Sequence, residues 1–110
     1  MSINKAILMG NVGRDPEIRY VEGRTVASFT LATNEPGYTT PEGTTVAERT
    51  EWHNIVVWDH AAEIAERYVR RGTRLFVEGK IRTRTWQDRN TIKRTVTEIV
   101  AENFEILSRQ

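Results

Sequence analysis

Apolar and polar residues alternate along most of this chain, and that two-residue period is the mark of strands. Residues 3–12 predict a first strand with an apolar centre, in which Gly10 and Gly13 mark bending or a close approach of backbone. Asp15-Pro16 is a turn signal. Residues 18–21 and 25–33 predict the arms of a hairpin around Glu22-Gly23. Ala27, Phe29 and Leu31 share one face of the second arm, and Val26, Ser28 and Thr30 share the other. Residues 34–49 break the alternation with Pro36, Gly37, Pro41, Gly43 and several threonines, which predicts a long mobile loop or an open hairpin. Residues 50–58 resume it.

The period then changes. Ala61, Ile64, Ala65 and Tyr68 recur at helical spacing, predicting a helix over 60–71. Asp59 or His60 is positioned to cap its start, and Gly72 stands where a left-handed C-terminal residue belongs. Arg67, Arg70 and Arg71 fall in the last turns, where positive charge suits the helix dipole. Residues 73–86 predict a long strand with Leu75, Val77, Gly79 and Ile81 on one face. Arg74, Phe76, Glu78, Lys80, Arg82, Arg84 and Trp86 lie on the other. A turn over 87–92 leads to a last strand over 93–107. Five strands with one helix between the third and fourth is the order of the OB-fold, an all-β Greek-key barrel that binds oligonucleotides. A length of 110 residues fits one such domain, 1–110, with no internal repeat.

Composition narrows the function. The chain is 38% hydrophobic and 28% charged, as in ordinary globular proteins. It has no apolar run long enough to span a bilayer, and no signal-peptide pattern opens it. The absence of cysteine removes disulfides, thiolate zinc sites and thiol nucleophiles, and fits a reducing compartment. The net charge of +1 conceals an uneven distribution. Between 67 and 94 stand Arg67, Arg70, Arg71, Arg74, Lys80, Arg82, Arg84, Arg89, Lys93 and Arg94, against Glu78 and Asp88 alone. A local field of one sign attracts polyanions even on a near-neutral protein.

The three tryptophans sharpen this picture. In TEWHNIVVW, Trp52, Asn54, Val56 and Trp58 share one strand face, and His53, Ile55 and Val57 share the other. In IRTRTW, Arg82, Arg84 and Trp86 lie together. Flat rings beside guanidinium groups suit an unpaired nucleic acid strand, whose bases stack and whose phosphates need counter-charge. Two readings of Trp52 and Trp58 stay open, stacking platforms or rings covered by core or by another subunit. Tyr38, in the loop, is either a further stacking surface or a plain loop residue. Glu51 and His53 share a face and could pair as a hydrolase site, although a structural histidine is the simpler reading. The sequence has no GxSxG, HExxH, P-loop or GxGxxG motif, so neither catalytic residue, metal ligand nor cofactor is assigned.

Five stretches carry a resemblance: NKAILMGNVGRDPEIRY, VASFTLAT, TEWHNIVVW, AERYVRRGTRLFVEGKIRTRTW and TVTEIV. Through them the chain resembles the bacterial-type single-stranded DNA-binding proteins over nearly its whole length. The resemblance implies an OB-fold without enzymatic activity. It implies a homotetramer built as a dimer of dimers, and sequence-independent binding of single-stranded DNA in replication, recombination and repair. It also implies a cytoplasmic, nucleoid-associated location and no membrane partner. By position, Trp52, Trp58 and Trp86 match the family's stacking aromatics, with Trp58 where the family often has phenylalanine. Asn11, Arg19 and Thr30 match positions along the DNA path. Arg70, Arg71, Arg82, Arg84 and Arg94 match positions that meet phosphates, and His53 matches a histidine near the subunit interface. Tyr38 lies near the family's loop tryptophan. The family's acidic C-terminal tail has no counterpart up to Gln110, so replication and repair proteins are expected as partners only if a tail follows. A subunit whose aromatic face serves protein assembly, as in a primosome-type accessory dimer, is the rival reading of the same pattern.

Overall fold

The computed structural model describes residues 1–108, the side chain of Ser108 excepted. The domain boundary expected at 110 therefore lies outside the described residues. In chain order the elements are β1 (Ala6–Val12), β2 (Glu17–Val21), β3 (Arg24–Glu35), β4 (Tyr38–Thr39), β5 (Thr45–Val46), β6 (Arg49–Trp58), α1 (Asp59–Tyr68), β7 (Arg74–Gln87) and β8 (Lys93–Ser108). The main sheet runs β1-β7-β8-β6-β3-β2, and a further β1–β3 pairing closes it. β1 and β2 are two segments of one bent strand. β1 pairs with β3 at Asn11–Ala32 and Val12–Leu31, whereas β2 pairs with it from Glu17–Ser28 to Val21–Arg24. Counted this way, five strands close a barrel, with the helix between the third and fourth: the OB-fold that the element order predicts.

Inward alternation builds the core. Val12, Ala27, Phe29, Leu31, Ile55, Val57, Leu75 and Val77 are buried on the inner side of their strands, and Ala62, Ala65 and Val69 plug one end. Full burial of each large aliphatic or Phe side chain contributes about 1.5–3 kcal/mol. The alternation survives a bulge in β8, where Glu78 faces Asn103 but Gly79 faces Ala101. The skipped residue, Glu102, shifts the inward parity, so that Ile99 and Ala101 point in before the bulge and Phe104 and Ile106 after it.

Several boundaries differ from the sequence reading. The first strand starts at Ala6 instead of residue 3. Residues 34–49 take the second of the two expected forms, an open hairpin: β3 and β6 stay paired out to Glu35–Arg49, and β4 and β5 form a small ribbon beyond. The helix is shorter than expected and ends at Tyr68, because Val69 turns extended to bury itself in the core. Arg70 and Arg71 thus lie outside the helix, and Gly72, although its φ is +90°, is not its terminating residue. Neither Asp59 nor His60 caps the start. The N-cap is Trp58 without a side-chain bond, and Asp59 is the first helical residue, held at φ +57°. The buried helical stripe is Ala62 and Ala65, with Tyr68 exposed, since the barrel end accepts only small side chains there.

Candidate nucleic-acid interface

Residues paired across neighbouring strands project to the same side of a sheet. Register therefore assembles the outer surface row by row. One row crosses four strands as Arg74, Asn11, Ala32 and Trp52. The next brings Thr30 beside Asn54, and another runs Glu17, Ser28, Val56, Val100 and Lys80. A last row holds Arg19, Val26 and Trp58. Trp52 and Trp58 thus mark the two ends of one surface, separated by two rows of mostly small or polar groups.

The β7–β8 hairpin adds a wall to this surface. Beyond Gly79 its side chains leave the barrel, and Arg82, Arg84 and Trp86 stand on one face opposite Glu98, Val96 and Arg94. The wall and the barrel enclose a cleft of about 340 Å³, lined by Arg14, Arg19, Asn54, Arg84 and Trp86 together with Glu17, Ser28, Val56, Val96 and Glu98. The cleft is wide open to solvent. Three arginines, Arg14, Arg19 and Arg84, line it against two carboxylates, Glu17 and Glu98.

The three rings sit in different environments. Trp52 is 60% exposed and rests on Gly13. A Cβ at Gly13 would lie 2.4 Å from the Trp52 ring and 2.7 Å from the Thr30 hydroxyl, so only glycine lets this ring lie against the barrel. Trp86 is 48% exposed at the cleft mouth. Trp58 is half-buried, and the Arg24 guanidinium carbon lies 4.6 Å from its ring centroid. Arg24 in turn donates from Nε and Nη2 to the two carboxylate oxygens of Asp59, at 3.0 and 2.6 Å. Those bonds hold the Asp59 carboxyl below its ordinary value of 3.8. Two of the rings are thus open, and the third is covered by an arginine.

Ion pairs also reshape the expected basic segment. Glu98, whose side chain is only 8% exposed, accepts from Arg84 Nε at 2.9 Å. Lys80 pairs with Glu102, and Glu78 pairs with Lys5 from the N-terminal segment. Arg94 donates to Asp88, whose carboxyl is held low first by the Ile92 backbone N–H and further by Arg94. Among the described residues of this segment, Arg67, Arg70, Arg71 and Arg74 at its start and Arg82, Arg89 and Lys93 on the hairpin make no ion pair. The uncompensated charge of 67–94 thus falls in two groups, one at the helix end and the start of β7, the other on the outer hairpin.

The predicted site residues divide accordingly. Thr30 lies beside Trp52, while Arg19, Arg84 and Trp86 share the cleft and Arg82 continues its wall. Asn11 is in the Trp52 row, accepting from Arg74 at 3.1 Å. Arg94 is beside Trp86 on the hairpin. Arg70 turns back, donating to the Glu66 and Val69 carbonyls at the helix end. Arg71 is exposed, and its backbone N–H donates to Asp15 Oδ1 at 2.8 Å. Tyr38 is exposed on the separate β4–β5 ribbon. Sequence reasoning missed Arg14 and Arg24. Arg14 follows Gly13 and precedes the Asp15-Pro16 turn, a position that could have flagged it. Nothing local ties Arg24 to Trp58. His53 bonds the Thr33 hydroxyl at 2.9 Å, as a structural histidine does, and no cluster of metal-binding side chains occurs among the described residues. No helix of the described residues is long and apolar enough to cross a membrane.

Comparison with known proteins extends over the same residues. The model of the single-strand binding protein family matches residues 3–107. A single-stranded DNA-binding protein of Bacteroides thetaiotaomicron is 52% identical over 109 residues, which cover 98% of this chain and 68% of that protein. One from Neisseria meningitidis serogroup A is 44% identical over 108 residues, covering 97% of this chain and 61% of that protein. The chain thus spans about two thirds of the length of these curated relatives. Among solved structures, the Plasmodium falciparum SSB complex with ssDNA superposes with a TM-score of 0.86 at 34% identity, covering 98% of this chain and 97% of that one.

Proposed function

The chain belongs to the single-strand binding protein family, and we propose from that premise that its outer face binds single-stranded DNA without sequence preference and without chemical change to it. The observation that carries this reading is the cleft where Trp86, Arg84, Arg19, Arg14 and Asn54 converge, continuous through the strand rows with the open ring of Trp52. Trp52 and Trp86 stack on bases, which tolerates any sequence because every base has a π-face. Arg14, Arg19, Arg82 and Arg84 neutralise phosphates, and Thr30, Asn11 and Asn54 offer hydrogen bonds along the path. Binding of this kind protects unpaired strands during replication, recombination and repair, in the cytoplasm.

The chain acts as a homotetramer in this reading. Support comes from the outer face of β1, where Ile7 and Met9 are 60% and 52% exposed, beside the half-buried Phe76 of β7. Apolar side chains grouped on an outer face fit a contact with a second copy. Replication and repair proteins would be partners only if a tail follows residue 110.

Titration of intrinsic tryptophan fluorescence with oligo-dT at two salt concentrations tests the binding, with light scattering for the mass. Quenching by oligo-dT and weaker binding at the higher salt, through counterion release, are the expected results. An affinity indifferent to salt, or fluorescence indifferent to DNA, would return the aromatic face to a protein-assembly role.

A further inference from the structure

Trp58 stands at the end of the DNA-facing surface, yet its ring is not open. The Arg24 guanidinium lies over it at 4.6 Å, and Asp59 grips that guanidinium through both Nε and Nη2. The two attachments act on one rigid planar group. The ring fixes the height of the plane, and the two-pronged carboxylate fixes its rotation. Asp59 adopts φ +57°, a left-handed conformation uncommon outside glycine, asparagine and aspartate, at the junction of β6 and α1. The carboxylate is thus anchored where two elements meet. Swinging Arg24 aside would break the stack and both hydrogen bonds together. The Arg24 side chain is nonetheless 55% exposed, so the clamped group stays at the surface.

We propose that Arg24 is the surface Trp58 presents to DNA: a base at this end of the path stacks on the clamped guanidinium plane, and the indole beneath is its support. Arginine planes serve as base platforms as aromatic rings do. Asp59 cancels the charge of Arg24, so the contact is one of stacking and not of phosphate neutralisation. Asp59 is the positioning residue, acting only through Arg24. This inference rests on the single-stranded DNA reading above and adds a residue and a mode of contact to it.

Fluorine NMR of the intact chain carrying 5-fluorotryptophan tests it. The three resonances are assigned through Trp52→Phe, Trp58→Phe and Trp86→Phe, and oligo-dT is added to saturation, checked by the anisotropy of a labelled oligonucleotide. Trp52 and Trp86 are expected to shift, and Trp58 to move least of the three. In Arg24→Ala, with the ring bared, Trp58 is expected to shift as strongly as Trp52. A large Trp58 shift with Arg24 in place would mean that DNA displaces the arginine. No Trp58 shift in either protein would put this end outside the DNA path. Either result overturns the proposal. Failure of the labelled oligonucleotide to bind the unaltered chain would instead overturn the single-stranded DNA reading itself.

Discussion

The two halves of β7 are made by different forces although the strand runs unbroken from Arg74 to Gln87. From Leu75 to Gly79, buried and half-buried positions alternate, because one face looks into the barrel. From Lys80 to Gln87 every residue is exposed, and the strand is held by its ladder to β8 and by side-chain ties across it. Arg84 leans on Glu98, the Thr83 and Thr97 hydroxyls meet at 3.1 Å, and Asn4 brackets the Ile81 backbone from the N-terminal segment. The inner half is fixed by burial and the outer half by hydrogen bonds. A strand that leaves its core can hold a ring and several cations open to solvent, and a strand inside the core cannot.

The largest effect expected from this contrast is on stability. Leu75→Ala deletes a fully buried side chain and should cost about 2–5 kcal/mol. Thermal unfolding should register a drop of at least about 10 °C. A drop no larger than that caused by an outer-half substitution would break the distinction. Next in size is Trp86→Ala, expected to weaken oligo-dT binding by about 1–3 kcal/mol while leaving the melting temperature almost unchanged. Unfolding of this variant would mean that the outer half is core after all.

Acid sharpens the contrast further. Glu78 in the inner half is held below its ordinary value of 4.5 chiefly by the hydrogen bond from Lys5, and Asp88 at the hairpin tip is held below 3.8 chiefly by the Ile92 backbone N–H. A carboxyl lowered by folding stabilises the fold above its unfolded value and loses that contribution as pH falls through its folded value. Melting temperature should therefore be flat from neutrality down to 4.5 and decline below it. A decline that began well above 4.5 would point to groups other than these. The smallest effect is local. Asp88→Ala removes the acceptor for the Asn90 and Ile92 amides and for Arg94. Those two amides should then exchange faster with solvent, with no change in global unfolding. Faster exchange at Leu75 or Val77 in the same variant would show the halves to be coupled.

Much of the fold was legible before any coordinates. Strand alternation is a short-range signal, so Phe29 and Leu31, or Ile55 and Val57, could be assigned to the core from their neighbours alone. Helix limits were less legible, because Val69 leaves the helix to fill a space that only the assembled barrel creates. The candidate site divides in the same way. Arg82, Arg84 and Trp86 are two residues apart on one strand, and their common face follows from chain geometry. Arg14, Arg19 and Trp86 meet in a cleft only after the hairpin folds across β2 and β3.

Sequence by itself determined the class of fold, the core faces of the strands, and the presence of rings among arginines, since each depends on residues within one element. It could not determine which ring is open. Trp58 and Arg24 are on different strands, and their stacking depends on β3–β6 register and on the backbone of Asp59. Nor could it determine which arginines carry uncompensated charge, because the carboxylates that meet Arg84 and Lys80 lie on β8. Alternation is written in covalent geometry, whereas charge pairing between strands exists only when the chain has closed.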